Sequence, residues 1–504
     1  MRKYHKWVGL VLSIFIILFS VSGIIMNHRQ LFSGCEVGRW WLPSDYHLKN
    51  WNGGILKGTA LSADSTAVYA YGCAGVWETD SAFSHFEALN AGMVSGVDNR
   101  KISSIITTAS GVTYCAGLYD VYRLSEQDRR WEQVALGNNE RIADIAVHGD
   151  TVAVLTRSEI YYIIGEEATG PHMLQAPEGY EPKVTLLKTV WNLHSGALFG
   201  LPGRIVVDIL GVVLIVLCVT GIFFFFLPYS IRRNSRKMKE AKEAALDTTR
   251  YKEKSRRLGK LLQWNVRWHY KLGASLIVLT VLLSVTGMSL RPPLMVPLVM
   301  KSTRPVPFST FDTDNAFSDK MRAIRWDEQQ GSWIISTTDG FYKFREPDSI
   351  PVLLRVSPAV SPMGVTVFER NPDHQDEWLV GSFSGLFRWN ITDSTVLDYF
   401  TGEPYVKPTG IPFGSHAVSG FTLHTSTPTV IDYSTGAGTA LPAMPDEMAG
   451  QPMSLWNFAL ELHVGRCYTP FLGPVSVLFV FLAGLLLTIT LISGYVVYRR
   501  GHRK

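Results

Sequence analysis

Four long apolar stretches constrain this chain more than any other feature: Val8 to Met26, Ile205 to Leu227, Leu272 to Leu290 and Val475 to Val497. About 20 helical residues cross the hydrocarbon of a bilayer, and each stretch has that length without an interior run of charge. The chain has 504 residues, 46% of them hydrophobic and only 18% charged. The apolar excess is concentrated in the four stretches, which argues against an ordinary soluble enzyme. The first follows Arg2, Lys3 and Lys6, as a signal peptide would, but no small-x-small cleavage signal precedes MNHRQLF. It is read as a retained helix.

Basic residues fix the expected orientation. They precede the first helix, fill the middle loop with RRNSRKMKEAK and YKEKSRRLGK, and end the chain as RRGHRK, so both termini and that loop are expected inside. The domains expected from this are transmembrane helix 1 over 1–28, the first half of a periplasmic β-rich domain over 29–190 and helix 2 over 191–228. A basic cytoplasmic loop follows over 229–268, then helix 3 over 269–291, the second β-rich half over 292–460, helix 4 over 461–498 and a cytoplasmic tail over 499–504. The expected setting is a bacterial inner membrane, with its lipid as the surrounding partner. A net charge of +5 is too small to suggest nucleic-acid binding.

The histidines near the membrane repeat. His5 and His269 lie in YHKWVG and WHYKLG, each four residues before a glycine at the inner end of an outward-running helix. His194 and His463 lie in LHSG and LHVG, before the two inward-running helices. SVSGI in helix 1 matches SVTGM in helix 3, and CVTGI in helix 2 matches LISGY in helix 4. The membrane part is thus an internal duplication of two hairpins. A simple anchor needs no matched imidazoles. Imidazole is the usual axial ligand of b-type haem, and Gly9 and Gly273 share a helix face with His5 and His269, where they would leave room for a flat macrocycle. The expected iron ligands are His5 with His269 on the inner side and His194 with His463 on the outer side, each pair holding one haem. His28, in MNHRQ, is a further candidate for cofactor binding, and its alternative is an interfacial polar cap.

The combination of YHKWVGL with SVSGI, LHSG, WHYKLG with SVTGM, and LHVG resembles the PepSY-associated transmembrane-helix family, which includes inner membrane reductases of ferric siderophores. The resemblance implies b-type haem on His5, His194, His269 and His463, with His28 less well matched. It also implies an oxidoreductase linked to iron uptake.

Outside the membrane, short β-like runs such as YAYGCAGVWET, TYCAGLYDVYRL, SWIISTTDGFYKF and EWLVGSFSGLFRW recur about every 40 to 45 residues. Such spacing resembles propeller blades of four strands. The expected fold class is therefore mixed membrane α and extramembrane β: four transmembrane helices in two duplicated hairpins, with a split β-propeller-like periplasmic domain. Two α+β domains or an unclosed sheet are the alternatives. Cys73 and Cys115, in GCAGVW and YCAGLY, could form a disulfide, a chemical site or plain packing. The acidic runs ERNPDHQDE and PDEM read as solvated loops.

No GxGxxG fingerprint or P-loop is present, so electrons would come from a membrane quinol or a cytoplasmic reductase. The expected function is transmembrane electron transfer through two b-type haems to a periplasmic ferric chelate, with no catalytic side chain identified. The alternative is a nonenzymatic, membrane-anchored propeller that binds a periplasmic partner or ligand.

Overall fold

The computed structural model describes residues 2–138, 140–361, 363–406 and 416–502. Arg503 and Lys504 of the basic tail lie outside the described residues. The chain divides into two compact units, one formed by Met1–Phe32, Pro182–Asp312 and Trp456–Lys504, the other by Ser33–Glu181 and Thr313–Leu455.

The first unit is helical. We label its principal helices α1 (Arg2–Asn27), α2 (Leu186–Ser195), α3 (Gly200–Glu243), α4 (Thr249–Ser275), α5 (Ile277–Ser289), α6 (Leu455–His463) and α7 (Ser476–His502), although Leu455 itself belongs to the other unit. Three stretches are long and apolar enough to cross a membrane: Tyr4–Asn27, Ala197–Glu243 and Arg466–Gly501. The chain is a multi-pass membrane protein with a large extramembrane domain. The expected fourth span is corrected in shape: α4 and α5 qualify only as a pair, bent by 68°. Gly273 and Ser275 lie just before the break, and such small-residue pairs are common sites of helix kinking. Lipid-side apolar residues such as Val11, Ile14, Val212 and Leu486 are exposed, while Leu12, Ile16, Val213, Leu214 and Leu217 pack together between helices.

The basic stretch expected as a loop over 229–268 is largely helix. It belongs to α3, which runs for 44 residues, and to α4, which starts after a short turn. Lys, Arg, Glu and Ala favour helix, and Arg236 and Glu240 pair at 3.2 Å on one face. Asn234 Nδ2 donates to the Tyr251 carbonyl at 2.8 Å and ties the two helices together.

The second unit is mixed α/β and corrects the expected propeller. Among the described residues its strands form separate sheets, and no hydrogen-bonded ladder closes them into a barrel or a ring. Four sheets are four-stranded antiparallel meanders, spanning 104–134, 142–172, 321–354 and 367–398. A six-stranded sheet takes Gly58–Leu61, Val68–Gly72, Gly75–Thr79 and Phe86–Ala88 from the first external segment. It adds Val418–Thr422 and Thr429–Asp432 from the second, with Gly58 paired in parallel to Phe421. The 40 to 45 residue spacing therefore reports a local four-stranded unit. A periodicity in sequence carries no information on how such units close.

Trp51, Trp131 and Trp389 are fully buried and anchor three of the clusters between strands. Their indole N–H groups donate to the carbonyls of Pro442, Leu89 and Val356, so the burial costs no unmade hydrogen bond. Cys73 and Cys115 are both free, and Cys115 is fully buried in the same cluster as Tyr122 and Trp131, the packing alternative for that residue.

Candidate metal centres in the membrane unit

His5 on α1 and His269 on α4 face each other with ring centroids 6.3 Å apart, and His194 on α2 and His463 on α6 with centroids 6.1 Å apart. These are the two pairings expected from the duplication. An iron bonded to one nitrogen of each ring at about 2 Å would hold the two ring centres about 6 Å apart. Both separations match that figure.

The other nitrogen of each ring is already engaged. His5 Nδ1 lies 3.0 Å from the Thr490 carbonyl and 3.3 Å from Ser493 Oγ on α7. His194 Nδ1 lies 3.1 Å from both the Leu283 carbonyl and Thr286 Oγ1 on α5. His463 Nδ1 lies 3.0 Å from both the Phe19 carbonyl and Ser22 Oγ on α1. His269 Nδ1 lies 2.8 Å from Thr220 Oγ1 on α3 and also engages the Leu217 carbonyl. A carbonyl can only accept, so each Nδ1 carries the proton and donates it. The hydroxyls spend their own hydrogens on their helices: Ser22 on Leu18, Thr220 on Val216, Thr286 on Leu282 and Ser493 on Thr490. Every Nε2 is left with its lone pair, the tautomer a metal requires, and the outer partners fix the ring in place.

A glycine beside each hydroxyl makes room for the ring. A Cβ on Gly494 would come within 2.8 Å of His5 Cε1, on Gly287 within 2.8 Å of His194 Cε1, and on Gly23 within 3.3 Å of His463 Cε1. At Gly221 the corresponding distance to His269 Cε1 is 3.7 Å. One Ser/Thr-Gly dipeptide per membrane segment is thus the cradle of one histidine. In sequence, these are the SG and TG pairs of SVSGI, CVTGI, SVTGM and LISGY. Their repetition was visible, but only the structure shows which histidine each one holds. Both histidines of the first hairpin are cradled by the second, and both of the second by the first.

The glycines after the histidines have other roles. Gly9 and Gly273 pack against Thr490 and Leu217 rather than a ring. Gly196 and Gly465 have φ of +78° and +85° and terminate the short helices that carry His194 and His463. His28 pairs with Asp208 at 2.7 Å instead of with another imidazole.

Among the described residues no group of three or more His, Cys, Asp or Glu side chains could hold a metal ion. Each pair could thus bring two protein ligands where a bare zinc site would need three or four, a number that a planar macrocycle would have to complete. The residues therefore fit haem. The His5/His269 pair meets α1 at His5 and the His194/His463 pair meets it at Gly23, 18 residues on, which is about 27 Å of helix and close to the hydrocarbon thickness.

Residues 1–227 match the profile of the PepSY-associated TM region. No curated protein matches the chain. Similar solved structures include the extracellular domain assigned to the BT4673 hybrid two component system of B. thetaiotaomicron, at 8% identity and a TM-score of 0.34, covering 75% of this chain. This chain spans only 30% of that one. A structural genomics protein of unknown function from Bacteroides thetaiotaomicron VPI-5482 is similar at 9% identity and a TM-score of 0.32, over 80% of this chain and 72% of that one.

Proposed function

We propose that this chain, whose residues 1–227 match the PepSY-associated TM region, is a transmembrane electron-transfer protein holding two b-type haems. His5 and His269 would hold one and His194 and His463 the other. When bound, haem supplies reversible one-electron chemistry between ferric and ferrous iron. The observation that carries this reading is the repeated cradle: four histidines in two facing pairs, each donating Nδ1–H to another helix and keeping Nε2 free.

The chain's own part is to orient and insulate. The Ser/Thr-Gly cradles fix the ring planes, hydrogen bonding at Nδ1 strengthens Nε2 as a ligand, and the apolar helices exclude water. With basic flanks inside, the His5/His269 pair faces the donor side, where a membrane quinol or a cytoplasmic reductase would deliver electrons. The His194/His463 pair faces the periplasm, where a ferric chelate would be the acceptor. Hard oxygen-donor chelators bind ferrous iron far less tightly, so one-electron reduction would release the metal.

The test is the haem-to-protein ratio and the reduced spectrum of the purified full chain. Two bis-histidine haems are expected, falling to one in His5→Ala, His269→Ala, His194→Ala or His463→Ala at unchanged membrane abundance. A haem-free, folded protein would leave a membrane-anchored binding protein as the better reading.

A further inference from the structure

The His194/His463 pair has a cation beside it that the histidine cradles do not use. Arg291 follows α5 and lies one turn beyond Gly287, the glycine that abuts the His194 ring. It is also close enough to His463 for its charge to act on that imidazole. Arg291 is therefore placed near both rings of the pair.

The side chain is partly buried and, among the described residues, makes no hydrogen bond and no ion pair. Its charged neighbours are Arg466 and Glu461. Glu461 is already spent: Arg466 Nε lies 3.0 Å from its Oε1 and 2.9 Å from its Oε2, and Arg466 Nη2 also donates to Oε1. Arg291 thus faces a second cation and a carboxylate engaged elsewhere. A guanidinium carries five donors and cannot lose its charge, so holding one partly out of water without a counter-ion is costly. Charged groups at membrane segments mark functional sites by default, and this one asks for an anion.

The group proposed for the His194/His463 site brings such an anion with it, because haem carries two propionate carboxylates on one edge of an otherwise apolar macrocycle. We propose that Arg291 holds a propionate of that haem, an inference that rests on the haem reading above. The planar fork of arginine matches a carboxylate, and the bond would be charge-assisted. A phospholipid phosphate is the competing anion at a membrane surface. Partial burial of Arg291 and the reach of its charge to His463 favour an anion inside the site. Arg291 is on this account a positioning residue for the cofactor, and Arg466, already paired with Glu461, is not.

Absorbance titration of the detergent-purified full chain, prepared without haem, tests the assignment with two probes: haemin, and haemin dimethyl ester, whose carboxylates are capped. Arg291→Gln should weaken haemin binding about tenfold at one of the two sites, since one charged hydrogen bond is lost, and should leave the affinity for the ester unchanged. If Arg291→Gln does not fold, Arg291→Lys takes its place; it keeps the charge and loses the fork, so a smaller loss is expected for haemin and again none for the ester. Unaltered haemin affinity in the folded variant, or an equal loss for haemin and ester, would overturn the assignment and leave Arg291 to a lipid phosphate or to packing. A folded unmodified chain that binds neither probe would overturn the haem reading itself, and this assignment with it.

Discussion

His28 Nε2 lies 2.7 Å from Asp208 Oδ2, and Asn27 Nδ2 donates to the other oxygen of the same carboxylate at 3.0 Å. Asn27 also donates to the Ser195 carbonyl, so the end of α1 is tied to α3 and to the residue after His194. His28 is an interhelical fastener in this arrangement. His28→Ala is expected to retain both haems and to lose about 1 kcal/mol of stability, read from haem content and the unfolding midpoint. Loss of one haem at normal abundance would make His28 a ligand after all.

The glycine cradles give a graded series. Gly287→Ala should displace His194 and Gly494→Ala should displace His5, because the new methyl would stand 2.8 Å from a ring carbon. Gly221→Ala leaves an ordinary 3.7 Å contact with His269 and should be tolerated. Haem stoichiometry checks the ordering. Equal loss in all three variants would argue that the glycines matter for helix packing alone.

Arg325 is the hub of the extramembrane unit. Burial alone would lower its pKa, but the adjacent Asp144 and Glu369 carboxylates raise it well above the usual value, so it stays charged at any working pH. Arg325→Met leaves buried Asp144 without its cation and should cost about 3 to 5 kcal/mol. Arg325→Met combined with Asp144→Asn should recover part of that loss. Denaturant unfolding of the three proteins measures it, and an unaltered midpoint in Arg325→Met would contradict the assignment.

Glu377 sets an acid limit. Its burial favours the neutral carboxyl, but hydrogen bonds from Arg388 and Asn371 outweigh this and hold the pKa below its ordinary value of 4.5. The group therefore stabilises the fold fully above pH 4.5, and the contribution is lost as pH falls through the depressed folded value. Glu377→Gln should flatten the stability profile below pH 4.5. A wild-type-like acid slope in that variant would assign the acid sensitivity to other carboxylates.

The proposed orientation is testable by labelling. Single cysteines at Glu166 or Asp376 in a cysteine-free background should react with an impermeant maleimide added to intact cells, while one at 232–260 should not. The reverse pattern would invert the chain and exchange the donor and acceptor sides.

The membrane pairings were legible in sequence because duplication fixes registers: His5 and His269 occupy the same place in matched motifs, as do His194 and His463. The cradles were only half legible. The SG and TG pairs repeated plainly, but a contact across 441 residues, as between Ser22 and His463, leaves no local trace. The strand hairpins were legible through glycines such as Gly75, Gly340 and Gly385, whose φ of +92°, +138° and +127° suit tight turns. Sheet closure was not, since it depends on pairings such as Gly58 with Phe421 that local periodicity cannot encode. The bend between α4 and α5 was hidden because hydropathy records composition and not direction.

Because the two hairpins cradle each other's histidines reciprocally, neither can complete a centre alone. During synthesis the first hairpin enters the bilayer with His5 and His194 unsupported, and their acceptors on α7 and α5 arrive only later. On the proposed function, haem would therefore be inserted late, once the chain is complete. A chain severed in the turn at residues 244–248 should accordingly reassemble from two co-expressed halves.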